Sequence, residues 1–197
     1  MKLKLYHILG AAACGLLTAA AFTSLEAMFI AWISLIPLFF LLSGKKPGQA
    51  SLLAGTAGLF FHGLLLHWMP SCLGPVLISA AAWAVFGFVF SFIETRRPFS
   101  AFIVAPFLWV GLEFALTLIL SGRAWGVLGL SQSRNLLFIQ MAGITGVYGV
   151  SFILVLFQTL CVGPLRNSLR LPFVLGLALL VPFLLSRSLV LQSPAPT

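Results

Sequence analysis

Apolar residues run through this chain in long blocks, broken only at charges, prolines and small polar clusters. From Leu5 to Leu191 no stretch of polar sequence is long enough to fold as a domain outside a membrane. The breaks divide the chain into seven apolar segments, at 6–22, 28–43, 48–66, 75–93, 99–120, 136–161 and 171–190. Each reads as a membrane-spanning helix, because about 20 apolar residues at about 1.5 Å each cross a ~30 Å hydrocarbon core. The first two are short for that core, which predicts little tilt or a hairpin that enters the bilayer unevenly. The expected fold class is all-α, a polytopic membrane bundle of about seven helices making one transmembrane domain over 1–197.

Composition sharpens this. Of 197 residues, 61% are hydrophobic and 7% charged, with a mean hydropathy of +1.15. Any chemistry must therefore be done inside or at the edge of the bilayer, or by another polypeptide.

Charge sets the expected orientation. Lys2, Lys4, Lys45, Lys46, Arg96, Arg97, Arg166 and Arg170 fall on one side of the seven segments, and Arg123, Arg134 and Arg187 on the other. Positive residues near span ends resist translocation, so the N-terminus is expected in the cytoplasm and the tail Gln192–Thr197 outside. The location this implies is the inner (cytoplasmic) membrane, with multiple passes. The net charge of +8 is spread as pairs along one membrane face. Such pairs touch anionic phospholipid headgroups, each worth about 1 kcal/mol near the surface. Nucleic acid is not an expected partner, since its binding needs a continuous basic patch.

Cys14, Cys72 and Cys161 form no C-x-x-C pair and no disulfide framework. Met1–Cys14 has the outline of a lipoprotein signal, with Lys2, Lys4 and Leu9-Gly-Ala-Ala-Ala-Cys14, but its apolar core is short, and it reads as a retained first helix. His62 and His67 are five apart and share no helix face, so neither a metal nor another cofactor is expected. His67 and Trp68 read as an interfacial belt.

The acids are Glu26, Glu94 and Glu113. Glu94, beside Arg96 and Arg97, reads as a solvated neighbour of those charges. Glu113 lies inside the apolar run 107–120, where a carboxylate costs on the order of 2.5–3.5 kcal/mol, so it must face other helices or a wet cavity. Two readings stand: a proton or headgroup contact, or a carboxyl that hydrogen-bonds a neighbouring helix and fixes packing. Transporters usually carry intramembrane charges in several helices or matched broken helices, and neither pattern is found here.

The densest cluster of glycine and polar residues is Ser121–Ser151. Its first part reads as a semi-apolar loop in the interface, with Trp125, Gly126 and Gly129. In its second part Gly143, Gly146 and Gly149 form a smooth stripe, expected to let segment six pack closely on segment five. Gln132, Gln140 and Tyr148 are candidates to line an opening for lipid.

The same residues carry a resemblance. Trp109-Val-Gly-Leu-Glu113, Gly122-Arg-Ala-Trp125, Leu128-Gly-Leu-Ser-Gln132 and Gln140-Met-Ala-Gly-Ile-Thr-Gly-Val-Tyr-Gly-Val-Ser-Phe152 resemble the membrane domain of the apolipoprotein N-acyltransferase family. That family's pattern runs roughly W-x-x-x-E, G-F-P-W, L-G-Y-S-Q and I-Q-x-A-x-x-x-G-x-Y-G-x-S-F. Trp32-Ile-Ser-Leu-Ile-Pro37 is similar to its second helix, and Leu65-Leu-His-Trp68 to the end of its third, so the likeness covers about residues 9–190. The chain departs at Arg123-Ala124, where the family has Phe-Pro, and at Gln158, where it has Asn; the Arg that commonly follows the family's Glu is absent after Glu113.

The resemblance implies a membrane part that seats phospholipid and lipoprotein acyl chains, with Trp68, Glu113, Trp125, Gln132, Gln140 and Tyr148 as contact candidates. Family members add a nitrilase-like domain with a Cys nucleophile, a Glu base and a Lys. Residues 1–197 hold no counterpart, so no catalytic residue is assigned and the chain is expected to be inactive by itself. The expected partner is a separate nitrilase-like catalytic subunit. Alternatives are a non-catalytic scaffold for other membrane-complex subunits and, behind it, a small lipid or solute transporter.

Overall fold

The N-terminal apolar run folds as α1, Leu5–Ala20, whose first turn is closed by His7: its Nδ1 accepts the Lys4 backbone N–H at 3.3 Å. In this computed structural model, which describes residues 3–23, 27–123 and 125–167, the chain continues through a 3-10 turn Ala27–Trp32 into five further helices. These are α2 Ile36–Leu42, α3 Pro47–Leu65, α4 Leu73–Arg96, α5 Pro98–Ile119 and α6 Leu136–Asn167, with a second 3-10 turn, Leu128–Gln132, before α6. Segment 171–190, Glu26, Arg170 and Arg187 lie outside the described residues. Among those described no residue is in a strand, and α4, α5 and the stretch Gln140–Val162 are long and apolar enough to cross a membrane.

Segment two is not one helix. The expected run 28–43 splits into the 3-10 turn and α2, with Pro37 in the first turn of α2, where its missing N–H costs nothing. The break frees the Leu35 N–H, which in an apolar bundle must find a partner. Gln158 of α6 supplies it, its Oε1 accepting at 2.6 Å while its Nε2 donates to Leu154 O at 3.2 Å.

Lys4, Lys45, Lys46, Arg96 and Arg97 gather at one end of the bundle, because the start of α1, the α2–α3 turn and the α4–α5 turn meet there. Lys45 Nζ lies 2.8 Å from His7 Nε2, and the Gly44 N–H donates to Glu94 Oε2 at 2.9 Å. The Ser43 hydroxyl donates to the other Glu94 oxygen, and Ser91 donates to Lys45 O at 2.6 Å. Glu94 is thus not a solvated neighbour of the arginines: it is 3% exposed and anchors the α2–α3 turn, while Arg96 stacks over Phe92.

Small residues set the helix seams, but not where the glycine stripe placed them. A Cβ on Gly87 of α4 would fall 2.5 Å from Ala50 O of α3, and one on Gly58 would fall 2.6 Å from Trp83 Cγ. These positions let α3 and α4 approach backbone to side chain, the close contact that stabilises helices in lipid. By contrast, a Cβ on Gly143 or Gly146 would meet nothing within 4 Å, and the atoms nearest one on Gly149 belong to Thr145 of its own helix. At Gly143 and Gly146, then, the space a Cβ would take is open. The stripe's middle residue bends the chain instead: Gly146 has φ 71° and ψ 174°, a conformation open essentially to glycine, and α6 is kinked there.

Through the centre runs a column of rings. Phe61 packs on Trp83 at 5.4 Å, Trp83 edge-on to Trp109 at 4.8 Å, and Trp109 edge-on to Phe86 at 5.0 Å, while Phe39 meets Phe90 at 5.4 Å. Such geometry adds about 0.5–1.5 kcal/mol per pair beyond burial. At the end of the column away from the basic cluster stands Glu113.

Candidate functional site

Trp109 and Glu113 are four apart on α5 and so share a face. The Trp109 indole N–H donates to Glu113 Oε1 at 2.8 Å. The same oxygen accepts the backbone N–H of Leu128 at 2.7 Å. Leu128 opens the 3-10 turn 128–132, whose first N–H groups have no partner within the turn. Glu113 satisfies the first, and Ser151 of α6 the next, accepting the Gly129 N–H at 2.8 Å. The loop expected to rest in the interface is thereby drawn inward, and Val127, Leu128, Gly129 and Gln132 are buried. A carboxylate that would be costly alone holds two donors that would also be costly alone. Its other oxygen, Oε2, is buried with no hydrogen-bond partner at bonding distance among the described residues; the neighbouring Ser151 hydroxyl accepts from Gly129 and keeps its own O–H for the carboxyl.

The rest of the turn is equally tied. Gln132 donates from Nε2 to Met28 O at 2.8 Å and accepts the Trp32 indole N–H at 3.4 Å, joining the loop to the first 3-10 turn. Gly129 allows this closeness, since a Cβ there would run into Val147 O and lie 3.1 Å from Ser151 N. Tyr148 donates its hydroxyl to Thr117 Oγ1 at 2.9 Å, and Thr117 in turn donates to Glu113 O at 3.0 Å.

Above Glu113 a narrow cleft is walled by His62, Trp83, Trp109, Thr117, Trp125 and Gly126, with about 10 Å³ of free space, room for about one water. His62 sits with Nδ1 3.1 Å from Gly58 O and its Nε2 side against Gly126, whose positive φ of 77° turns the loop over the ring. Arg123 lies 5.3 Å over the half-buried Trp125 ring.

Of the six contact candidates, then, Glu113 and Gln132 are buried and hydrogen-bonded, Trp125 walls the cleft and Tyr148 bonds Thr117, which lines it. Trp68 is 65% exposed in the α3–α4 turn and Gln140 is exposed on α6, so neither joins this network. Gln132 bonds Met28 and Tyr148 bonds Thr117. Ser151, Thr117, His62 and Gln158 were not singled out as site residues, although a polar side chain in an apolar span is itself a sign of a buried partner. Among the described residues no three His, Cys, Asp or Glu side chains come together as metal ligands.

Trp109, Glu113, Leu128, Gln132, Tyr148 and Ser151 are the residues of the quoted motifs, and the fold joins them into one end of the bundle. The model of the apolipoprotein N-acyltransferase N-terminal domain matches residues 14–160, a span that contains this whole network. The chain belongs to the apolipoprotein N-acyltransferase family. It is 32% identical over 157 residues to the apolipoprotein N-acyltransferase of Geobacter metallireducens, covering 72% of this chain and 30% of that protein. It is 32% identical over 158 residues to the enzyme of that name from Chlorobaculum tepidum, covering 74% and 29%. To apolipoprotein N-acyltransferase 1 of Treponema denticola it is 29% identical over 135 residues, covering 66% and 25%. Each match thus spans about a third or less of the relative's length.

Proposed function

We propose that this chain is the membrane-embedded part of an apolipoprotein N-acyltransferase system, seating acyl chains for a separate catalytic domain. The reading is supported chiefly by the Glu113 network, which gathers the family's motif residues at the end of the bundle opposite the basic cluster. With Lys4, Lys45, Lys46, Arg96 and Arg97 in the cytoplasm, that end faces outward. A nitrilase-like domain docked there would take an acyl group from a phospholipid ester onto its thiol, releasing the lysophospholipid. It would then pass the acyl group from the thioester to the amino group of a lipoprotein's diacylglyceryl-cysteine, regenerating the thiol. The pinned turn 128–132 and the Trp125 lid form a fixed surface for that domain, while the apolar belt of the bundle holds the lipid tails in register. The protein sits in the inner membrane with multiple passes.

The test is a chimera in which residues 1–197 replace the membrane part of a complete apolipoprotein N-acyltransferase, expressed in cells depleted of their own enzyme. N-acylation of a reporter lipoprotein, read as a mass shift of its N-terminal peptide, is expected above the level given by the catalytic domain alone. A chimera that inserts and accumulates normally yet adds no acylation overturns the proposal and leaves a scaffold role.

A further inference from the structure

His62, near the outer end of α3, takes no part in the bonds of Glu113, yet it is 1% exposed and walls the same cleft. A neutral imidazole has one N–H that donates and one nitrogen that accepts. Nδ1 lies 3.1 Å from Gly58 O, and a carbonyl only accepts, so that contact puts the proton on Nδ1. Nε2 is then the acceptor, on the side of the ring where Gly126 turns over it. The Trp125 carbonyl neighbours the ring as well, while the contact of hydrogen-bond length is the one to Gly58. Two acceptors, the Nε2 lone pair and the Trp125 carbonyl, are thereby brought together with no hydrogen between them. The Thr117 O–H and the Trp109 N–H, on the same walls, are both taken by Glu113.

We infer that one ordered water in this cleft joins the two, donating one O–H to His62 Nε2 and the other to the Trp125 carbonyl, and so ties the loop to α3. Three observations favour water as the occupant. The free space, about 10 Å³, has room for about one water and nothing larger. Two acceptors require two donors on one small atom, which is what a water carries. A buried nitrogen with no partner is costly, whereas a bridging water is nearly as good as a direct bond. The charged groups at the cleft do not replace it. Arg123 is exposed and stacked over Trp125, and Glu113 Oε1 is held by Trp109 and Leu128. The loop is therefore fastened twice, at Leu128 by a carboxyl and at Trp125 by a water. Only the second fastening opens without breaking a direct bond between protein groups, so the Trp125 side lifts while the turn 128–132 stays pinned. The inference concerns the loop itself and holds whether or not the chain serves acyl transfer.

The experiment labels the full purified chain with isotope-enriched histidine and records its NMR spectrum in detergent, His62 being the ring whose signals vanish in His62→Gln. The expected ring carries its proton on Nδ1 and receives magnetisation from water at the C–H groups beside Nε2. A ring protonated on Nε2 would donate to Trp125 directly and overturns the bridge. A doubly protonated ring, or one that receives nothing from water, overturns it equally. Trypsin cleavage after Arg123 is the second readout, because it follows the opening of the loop. A bridge worth one ordinary hydrogen bond predicts cleavage about two- to tenfold faster in His62→Leu. His62→Gln, whose amide oxygen accepts in place of Nε2, is expected within about twofold of wild type. Leucine and glutamine variants cleaved equally fast would make His62 a filler of space and overturn the latch, as would wild-type cleavage in the leucine variant. Should His62→Leu not fold, the proton position and the water transfer in the wild-type ring decide the matter.

Discussion

Glu113→Ala is the most direct test of how the loop is held. It removes the acceptor of two buried donors, Trp109 Nε1 and Leu128 N, while leaving the apolar walls in place. An orphaned buried donor costs about 1–3 kcal/mol, and in lipid hosts partial re-pairing trims such losses toward about 0.6 kcal/mol each. The release of Leu128 should therefore shift the opening of loop 121–132 by about 1–3 kcal/mol, which is about five- to 150-fold in population. Trypsin reads this opening: Arg123 is exposed on that loop, and cleavage after it needs the local backbone to unfold into the protease. Cleavage at Arg123, scored by fragment mass, should accelerate by that factor in Glu113→Ala. Glu113→Gln keeps an oxygen in place of Oε1 and loses only the charge assistance of the two bonds, so it should lie near wild type, within about threefold. Wild-type cleavage in the alanine variant would refute the latch. A glutamine variant as fast as the alanine one would show that the charge, not the acceptor, matters.

Three further outcomes follow from the geometry. Gly129→Ala should lower the midpoint of reversible unfolding in mixed micelles by about 1–3 kcal/mol, because its Cβ runs into Val147 O and one of the two backbones must shift. Gly146→Ala should cost about 1–3 kcal/mol in the same assay unless α6 straightens, and a straightened helix would show as a rise in helical circular dichroism. Gln158→Leu should cost about 1–3 kcal/mol by leaving the Leu35 N–H unpaired, and an unchanged unfolding midpoint would show that the break before α2 finds another partner.

Segments 48–66, 75–93 and 99–120 coincide with the helices Pro47–Leu65, Leu73–Arg96 and Pro98–Ile119. Length and hydropathy are local properties, and for these three helices they were enough. The α3–α4 seam is also present in the letters, as Ala50, Ala54 and Gly58 at four-residue spacing, though the glycines of α6 are denser. Glycine density cannot tell a seam from a bend: Gly146 needed its positive φ, which no composition reveals. The breaking of segment two was hinted at by Pro37 alone, since apolar content is the same in a 3-10 turn as in a helix. Glu94 has Arg96 and Arg97 beside it in sequence, but its carboxylate accepts from Ser43 and Gly44, about fifty positions away, which no local pattern reveals. Glu113's need for a partner is legible in the apolar run around it, and the Leu128 and Trp109 N–H groups are the partners it has. That its partner would be a loop N–H rather than a helix could not be seen from periodicity.

The two glutamines that hold the broken second segment also bear on how the protein is made. The backbone N–H of Leu35 and the carbonyl of Met28 emerge from the ribosome 123 and 104 residues before Gln158 and Gln132, which will bind them. At about 5–20 residues per second, that interval is roughly 6–25 s of synthesis for Leu35. During it the segment 27–42 is too short and too irregular to settle in lipid as an independent span, with its frayed middle seeking other donors and acceptors. It must wait at the insertion machinery, or among lipid headgroups, until α6 has been delivered. Assembly of this bundle is therefore not a march of helices in order of translation but a closing step, in which a late helix fetches an early one into place.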